Sequence, residues 1–151
     1  MDFSKLTRED LMVFTGGIIL FIGLFAFDWY SVGGASINGI NFPGYSAAAT
    51  SSPYAIWGIL ALIVLIVILA DLALARFSPQ TQIPTTQLGR DMTRVAACGV
   101  LLALLFIKFV AHVGDFGWGF FVDVILAIVV TVGAWQIAQG KTTPVSSAPN
   151  V

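Results

Sequence analysis

Charged residues are scarce in this chain: seven Lys and Arg stand against eight Asp and Glu in 151 residues, 10% in all, for a formal charge of −1. Soluble domains carry about 25% charged residues. A chain this short has too much surface for its volume to keep so much apolar side chain from water, so an ordinary globular fold is excluded. Without a basic excess there is little to neutralise phosphates, which excludes nucleic acid as a partner. The one histidine rules out His-pair zinc sites and the His-Glu-x-x-His pattern, and no Gly-x-x-x-x-Gly-Lys phosphate cradle occurs. The one cysteine, Cys98, cannot form an intrachain disulfide; beside Gly99 in an apolar run, it reads as a small packing residue rather than a nucleophile. No catalytic, cofactor-binding or metal-binding residue is therefore assigned, and the chain reads as no enzyme and as needing no cofactor.

What the chain has instead is 58% hydrophobic residues and a mean hydropathy of +0.92. A spanning helix needs about 20 predominantly apolar residues to cross about 30 Å of hydrocarbon. Four stretches meet that length, at about 11–29, 54–76, 94–113 and 118–138. The expected fold class is an all-α membrane protein: a four-transmembrane-helix bundle forming one domain over 1–141, with a disordered tail at 142–151. Lys and Arg are retained on the cytoplasmic side of a membrane. Lys5 and Arg8 precede the first run, Arg76, Arg90 and Arg94 flank the second connection, and Lys141 follows the fourth run, whereas 30–52 and 114–117 hold neither residue. Both termini are thus expected in the cytoplasm, and the protein in the plasma membrane with the lipid bilayer as its solvent. Trp29, Trp57 and Trp118 fall at the outer boundary and Trp135 at the inner one, where indole rings act as interface anchors. A cleaved secretory signal is disfavoured, because the first run is longer than a signal core and its head is as acidic as it is basic.

The stretch 30–52 is rich in Gly, Ser, Ala and Asn. Within it, Ile37-Asn38-Gly39-Ile40 sets Asn-Gly between apolar residues, the strongest short signal for a two-residue hairpin turn because both positions need positive φ. A short β-hairpin is the expectation, with a plain loop as its alternative. The connection 77–89 carries Pro79 and Pro84 among Thr and Gln and reads as a solvated linker. Small residues at helical spacing mark contact faces in lipid. Gly16 with Gly23, Gly99 with Ala103, and the row Ala127, Thr131, Ala134 and Ala138 fit that pattern.

Lys108 lies six residues before Gly114 and Asp123 six residues after Gly117. On two helices joined by that turn they sit at matched depth, about 9 Å inside the boundary at about 1.5 Å per residue. An unpaired ion there costs on the order of a few kcal/mol. A direct Lys108–Asp123 ion pair is therefore expected, with His112 one turn above Lys108 and Asp115 in the turn itself. Two readings of this cluster compete. In one, the pair fixes the register of the third and fourth spans while Lys108 snorkels outward. In the other, Lys108, His112, Asp115 and Asp123 form part of a proton or ion path, which intramembrane ionisable residues often mark. Against a path stands the inner half of the membrane, where Asp71 is the one ionisable group and reads as an interfacial anchor near Arg76. A route across the middle would need water, or Thr15 and Thr131.

The segment Phe27-Asp28-Trp29-Tyr30-Ser31-Val32-Gly33-Gly34, followed by a small-residue loop and three further spans, resembles small four-span membrane proteins of actinobacterial type. Such proteins often carry Pro before the Trp, where Asp28 stands here. The resemblance implies the topology of the whole chain and carries no catalytic residue across. The layout is also similar to claudin-like proteins, but the paired loop cysteines of that family are missing. The expected function is a noncatalytic integral membrane subunit or scaffold acting through helix-helix contacts in a membrane complex or homo-oligomer, with other membrane subunits or a second copy as partners. The alternative is a small transporter or channel for protons or ions that uses the Lys108, His112, Asp115 and Asp123 cluster.

Overall fold

The computed structural model describes residues 6–52, 54–78, 89–111, 114 and 116–142. It is mostly helical, with α1 (Arg8–Ala26), α2 (Ala55–Phe77), α3 (Arg90–Ala111) and α4 (Trp118–Ala138); four short strands, β1 (Tyr30–Val32), β2 (Ala35–Ile37), β3 (Ile40–Phe42) and β4 (Tyr45–Ala47), lie between α1 and α2. All four helices are long and apolar enough to cross a membrane. Their outward faces agree with that: Ile18 and Phe25 on α1, Ile56 and Val67 on α2, Phe106 and Val110 on α3, and Phe121 and Ile125 on α4 are each more than half exposed. A soluble monomer rarely leaves apolar surface of this extent open. Together these features support a multi-pass membrane protein.

Each helix packs on its neighbour in sequence, and α1 and α4 make the most extensive contact, an arrangement compatible with the expected bundle. Leu20, Leu24, Leu65, Ile68, Leu72, Leu101 and Leu105 fill the interior. Where helices are held by close packing, small side chains set the approach. On α1, a Cβ at Gly16 would stand 3.3 Å from Val130, and one at Gly23 would run into the Asp123 carboxylate. Opposite them, Ala127 and Ala134 are fully buried. Gly99 and Ala103 are both exposed, and a Cβ at Gly99 would meet nothing, so that pair lies on the outward face of α3.

Local bonds set the helix ends. α1 starts at Arg8, ahead of its apolar run, because Thr7 and Asp10 form a capping box: the Asp10 N–H donates to Thr7 Oγ1 at 3.2 Å and the Thr7 N–H to Asp10 Oδ2 at 2.9 Å. It stops at Ala26 because Phe27 turns to extended backbone and the Trp29 N–H is taken by the Ala47 carbonyl at 2.8 Å.

The Asn38-Gly39 turn is present, with φ of +53° and +82°, and joins β2 to β3 through the pair Ile37↔Ile40. β1 pairs with β4 from Tyr30↔Ala47 to Val32↔Tyr45 in the same register, so 30–47 is a single hairpin interrupted at Gly33-Gly34 opposite Pro43-Gly44. The two backbones pass too close there for side chains. A Cβ at Gly34 would come within 2.8 Å of the Phe42 carbonyl oxygen and one at Gly44 within 2.9 Å of that of Val32, and Pro43 has no N–H for the ladder. The hairpin base is tied to the start of α4: the Gly117 N–H donates to the Trp29 carbonyl at 2.8 Å and that of Gly119 to Asp28 at 3.1 Å. This is the strand end of the helices, and Arg76, Arg90 and Arg94 mark the other. The linker residues 79–88, Pro53 and the tail residues 143–151 lie outside the described residues.

Candidate functional site

Asp123, in the second turn of α4, is fully buried and faces Gly23 of α1, where no side chain would fit beside its carboxylate. Its Oδ2 accepts a hydrogen bond from Trp29 Nε1 at 2.6 Å, while Oδ1 has no hydrogen-bond partner among the described residues. Trp29 is fully buried as well. Its ring stands edge-on to Phe120 at 5.3 Å, and Phe120 lies 5.1 Å from Phe109 and 5.0 Å from Phe116, so the carboxyl sits beside an aromatic layer.

Lys108, one turn before the end of α3, is also fully buried. Its Nζ donates to the carbonyl oxygens of Ser51 at 3.4 Å and Tyr54 at 3.3 Å, and lies 5.5 Å from the centre of the Tyr30 ring. An ammonium over a ring face is attracted by the ring quadrupole. Burial pushes the Tyr30 phenol above its ordinary value, so that ring is neutral. The lysine thereby pins the chain entering α2 to α3. Tyr54, at that entrance, holds a left-handed φ of +58°, a costly conformation for a side-chain-bearing residue that persists only where its surroundings enforce it.

Lys108 and Asp123 therefore do not pair with each other, contrary to the sequence expectation. Matched depth fixes how far each residue lies along its helix but not the direction it faces. The chain between α1 and α2 folds back over the helix ends and supplies nearer partners to both, carbonyls to the ammonium and an indole N–H to the carboxyl. His112 and Asp115, the other two members of the expected cluster, lie outside the described residues. The charge-swapped variant Lys108→Asp with Asp123→Lys separates the two arrangements. A direct ion pair would tolerate it. Here it sets a carboxylate against carbonyls and an ammonium against an indole donor, and it is expected to lose at least as much stability as the two single changes combined. Unfolding in mixed micelles on titration with SDS measures this, and parent-like stability would contradict the geometry.

The chain matches no protein-family model, no curated protein and no solved structure.

A second polar cluster sits at the arginine end. Arg76 Nη2 donates to Asp10 Oδ1 at 2.9 Å, with Nε 2.9 Å from Oδ2, joining α2 to α1. Asp71 joins α2 to α3: its Oδ1 accepts from Arg90 Nε at 2.7 Å, and its Oδ2 from Arg94 Nη2 at 2.6 Å and Nε at 2.9 Å. Arg94 Nη1 also reaches Asp91 at 3.1 Å. Asp71 is thus engaged by α3 and not by Arg76. A sequence signal for this exists. Asp71 and Arg76 are five residues apart and point to different sides of α2, whereas Arg90 and Arg94 share one face of α3 at a spacing of four.

Of the four tryptophans read as interface anchors, Trp29 is interior and bonded to Asp123. Trp57 is half-buried, and Trp118 and Trp135 are exposed at opposite ends of α4.

Proposed function

We propose that the protein is a noncatalytic integral membrane subunit or scaffold that acts through helix contacts in a membrane complex or homo-oligomer. In this reading it lies in the plasma membrane, with both termini and the arginine end on the cytoplasmic side, as the placement of Lys and Arg favours. The observation that carries the reading is the use made of the polar side chains, which hold parts of this chain to one another. Asp10 with Arg76 joins α1 to α2, Asp71 with Arg90 and Arg94 joins α2 to α3, Lys108 joins α3 to the entrance of α2, and Asp123 joins α4 to Trp29. The middle of the helices supports it too. Thr131 donates to the Ala127 carbonyl of its own helix at 2.7 Å, and Thr15 is exposed, so neither serves as a stepping stone between the two ends.

One observation favours the transporter alternative, the buried Asp123 Oδ1 without a hydrogen-bond partner among the described residues. Purification in mild detergent followed by native mass measurement, alongside a proton and cation flux assay in liposomes, separates the two. Stoichiometric partner subunits or a discrete homo-oligomer without flux is the expected result. Flux that Asp123→Asn abolishes would shift the assignment to a transporter, and a lone, inactive monomer would contradict both.

A further inference from the structure

The hairpin carries apolar side chains that the described chain leaves uncovered. Cross-strand partners share a face and successive residues alternate between faces. Ala35, Ile37, Ile40 and Phe42 therefore stand on one face of β2–β3, and Ser36 and Asn41 on the other. Ile37, Ile40 and Phe42 are 59%, 63% and 52% exposed. From Trp29 to Ala70 the chain holds no charged residue and no histidine, so nothing here selects a charged partner. At the hairpin base, Tyr45 Oη donates to the Ser52 carbonyl at 3.2 Å, which ties the hairpin to the chain entering α2. The hairpin and the exposed face of α2 thus belong to one stretch of chain without a charge.

We propose that the β2–β3 hairpin lies flat on the bilayer surface at the strand end, with Ile37, Ile40 and Phe42 set at the boundary between lipid headgroups and acyl chains and Ser36 and Asn41 turned to water. The backbone fixes the depth. A two-stranded ribbon has open edges whose N–H and C=O groups find no partners in hydrocarbon but find water at headgroup level. Because the hairpin is uncharged, its seating is indifferent to anionic lipid and to salt, unlike a polybasic anchor. The lipid contact holds Trp29 and the entrance of α2, both bonded to the hairpin or its flanks, at a constant depth.

This inference rests on the membrane-spanning placement of the helices, and the experiment tests that placement separately. Nitroxide labels are placed at Ile37→Cys, Ile40→Cys and Asn41→Cys, with Ile63→Cys on the exposed face of α2 as the control, each in a Cys98→Ala background. The full chain is then held as one copy per nanodisc of neutral phosphatidylcholine. Electron paramagnetic resonance power saturation compares collisions with oxygen, which concentrates in lipid, and with a water-soluble nickel chelate. Labels at 37 and 40 are expected to favour oxygen over nickel several-fold more than the label at 41, unchanged by anionic lipid or by salt. Equal nickel access at 37, 40 and 41 overturns the proposal. So does protection at 37 and 40 that appears only with two copies per disc, or only with a co-purified protein, because the occupant is then not lipid. Free nickel access at 63 overturns the membrane placement itself, and this inference with it.

Discussion

Arg94→Ala is expected to destabilise the protein by about 3 kcal/mol, at the low end of what breaking a buried ion pair costs. The Arg94 side chain is 1% exposed and serves two carboxylates, Asp71 and Asp91. Its removal leaves Asp71, 19% exposed, with Arg90 alone. The low end applies because Arg90 remains and Asp91 reaches water. Replacing both partners of a buried pair by apolar residues of similar volume is often neutral. The double variant Arg94→Met with Asp71→Leu is therefore expected to lie within about 1 kcal/mol of the parent, since Arg90 is itself a quarter exposed and turns to solvent. SDS unfolding in mixed micelles checks both, and a parent-like Arg94→Ala would mean that the α2–α3 tie contributes nothing.

Gly58→Val is expected to cost about 3 kcal/mol or more, the upper part of the overpacking range. Gly58 is buried on α2, and a Cβ there would run into the carbonyl of Ala49. That carbonyl cannot yield easily. Ala49 is fully buried, and Thr50 beside it is held to the end of α1 by both its N–H and its hydroxyl, each donating to the Leu24 carbonyl at 3.2 Å. Gly99→Val is the matched control. Nothing lies within 4 Å of the added Cβ on the outward face of α3, so a change of no more than about 0.5 kcal/mol is expected, as for surface positions generally. The same unfolding measurement ranks the two, and equal effects would contradict the close approach of the hairpin flank to α2.

The helices are legible in the sequence because hydrocarbon thickness demands length, and α4 spans 118–138 in both. The Asn38-Gly39 turn is legible because its positive φ values admit few residues. Its continuation down to Tyr30↔Ala47 is not, because Gly33-Gly34 and Pro43-Gly44 break the alternation that marks a strand. At the polar site, residue counts give the depth of Lys108 and Asp123, but azimuth depends on how α3 and α4 are rotated in the bundle. Trp29 is the least legible residue. Aromatics at the end of an apolar run usually mark an interface, and only the early end of α1 at Ala26 turns this one inward to Asp123. The Asp10–Arg76 tie is hidden for a similar reason: residue counts do not show that α1 lies beside α2 at that end.

The claim on which the rest depends is that Lys108 and Asp123 serve separate ties, and a double-mutant cycle between Lys108→Met and Asp123→Asn tests it most directly, with Trp29→Phe and Asp123→Asn as the coupled reference. Changes at sites with no shared partner add to within about 0.5 kcal/mol, and that is the expected result for 108 with 123. The reference pair, joined by a buried hydrogen bond, is expected to show a coupling of about 1 kcal/mol or more. A coupling of that size between 108 and 123 would contradict the separate ties and restore the single ion pair.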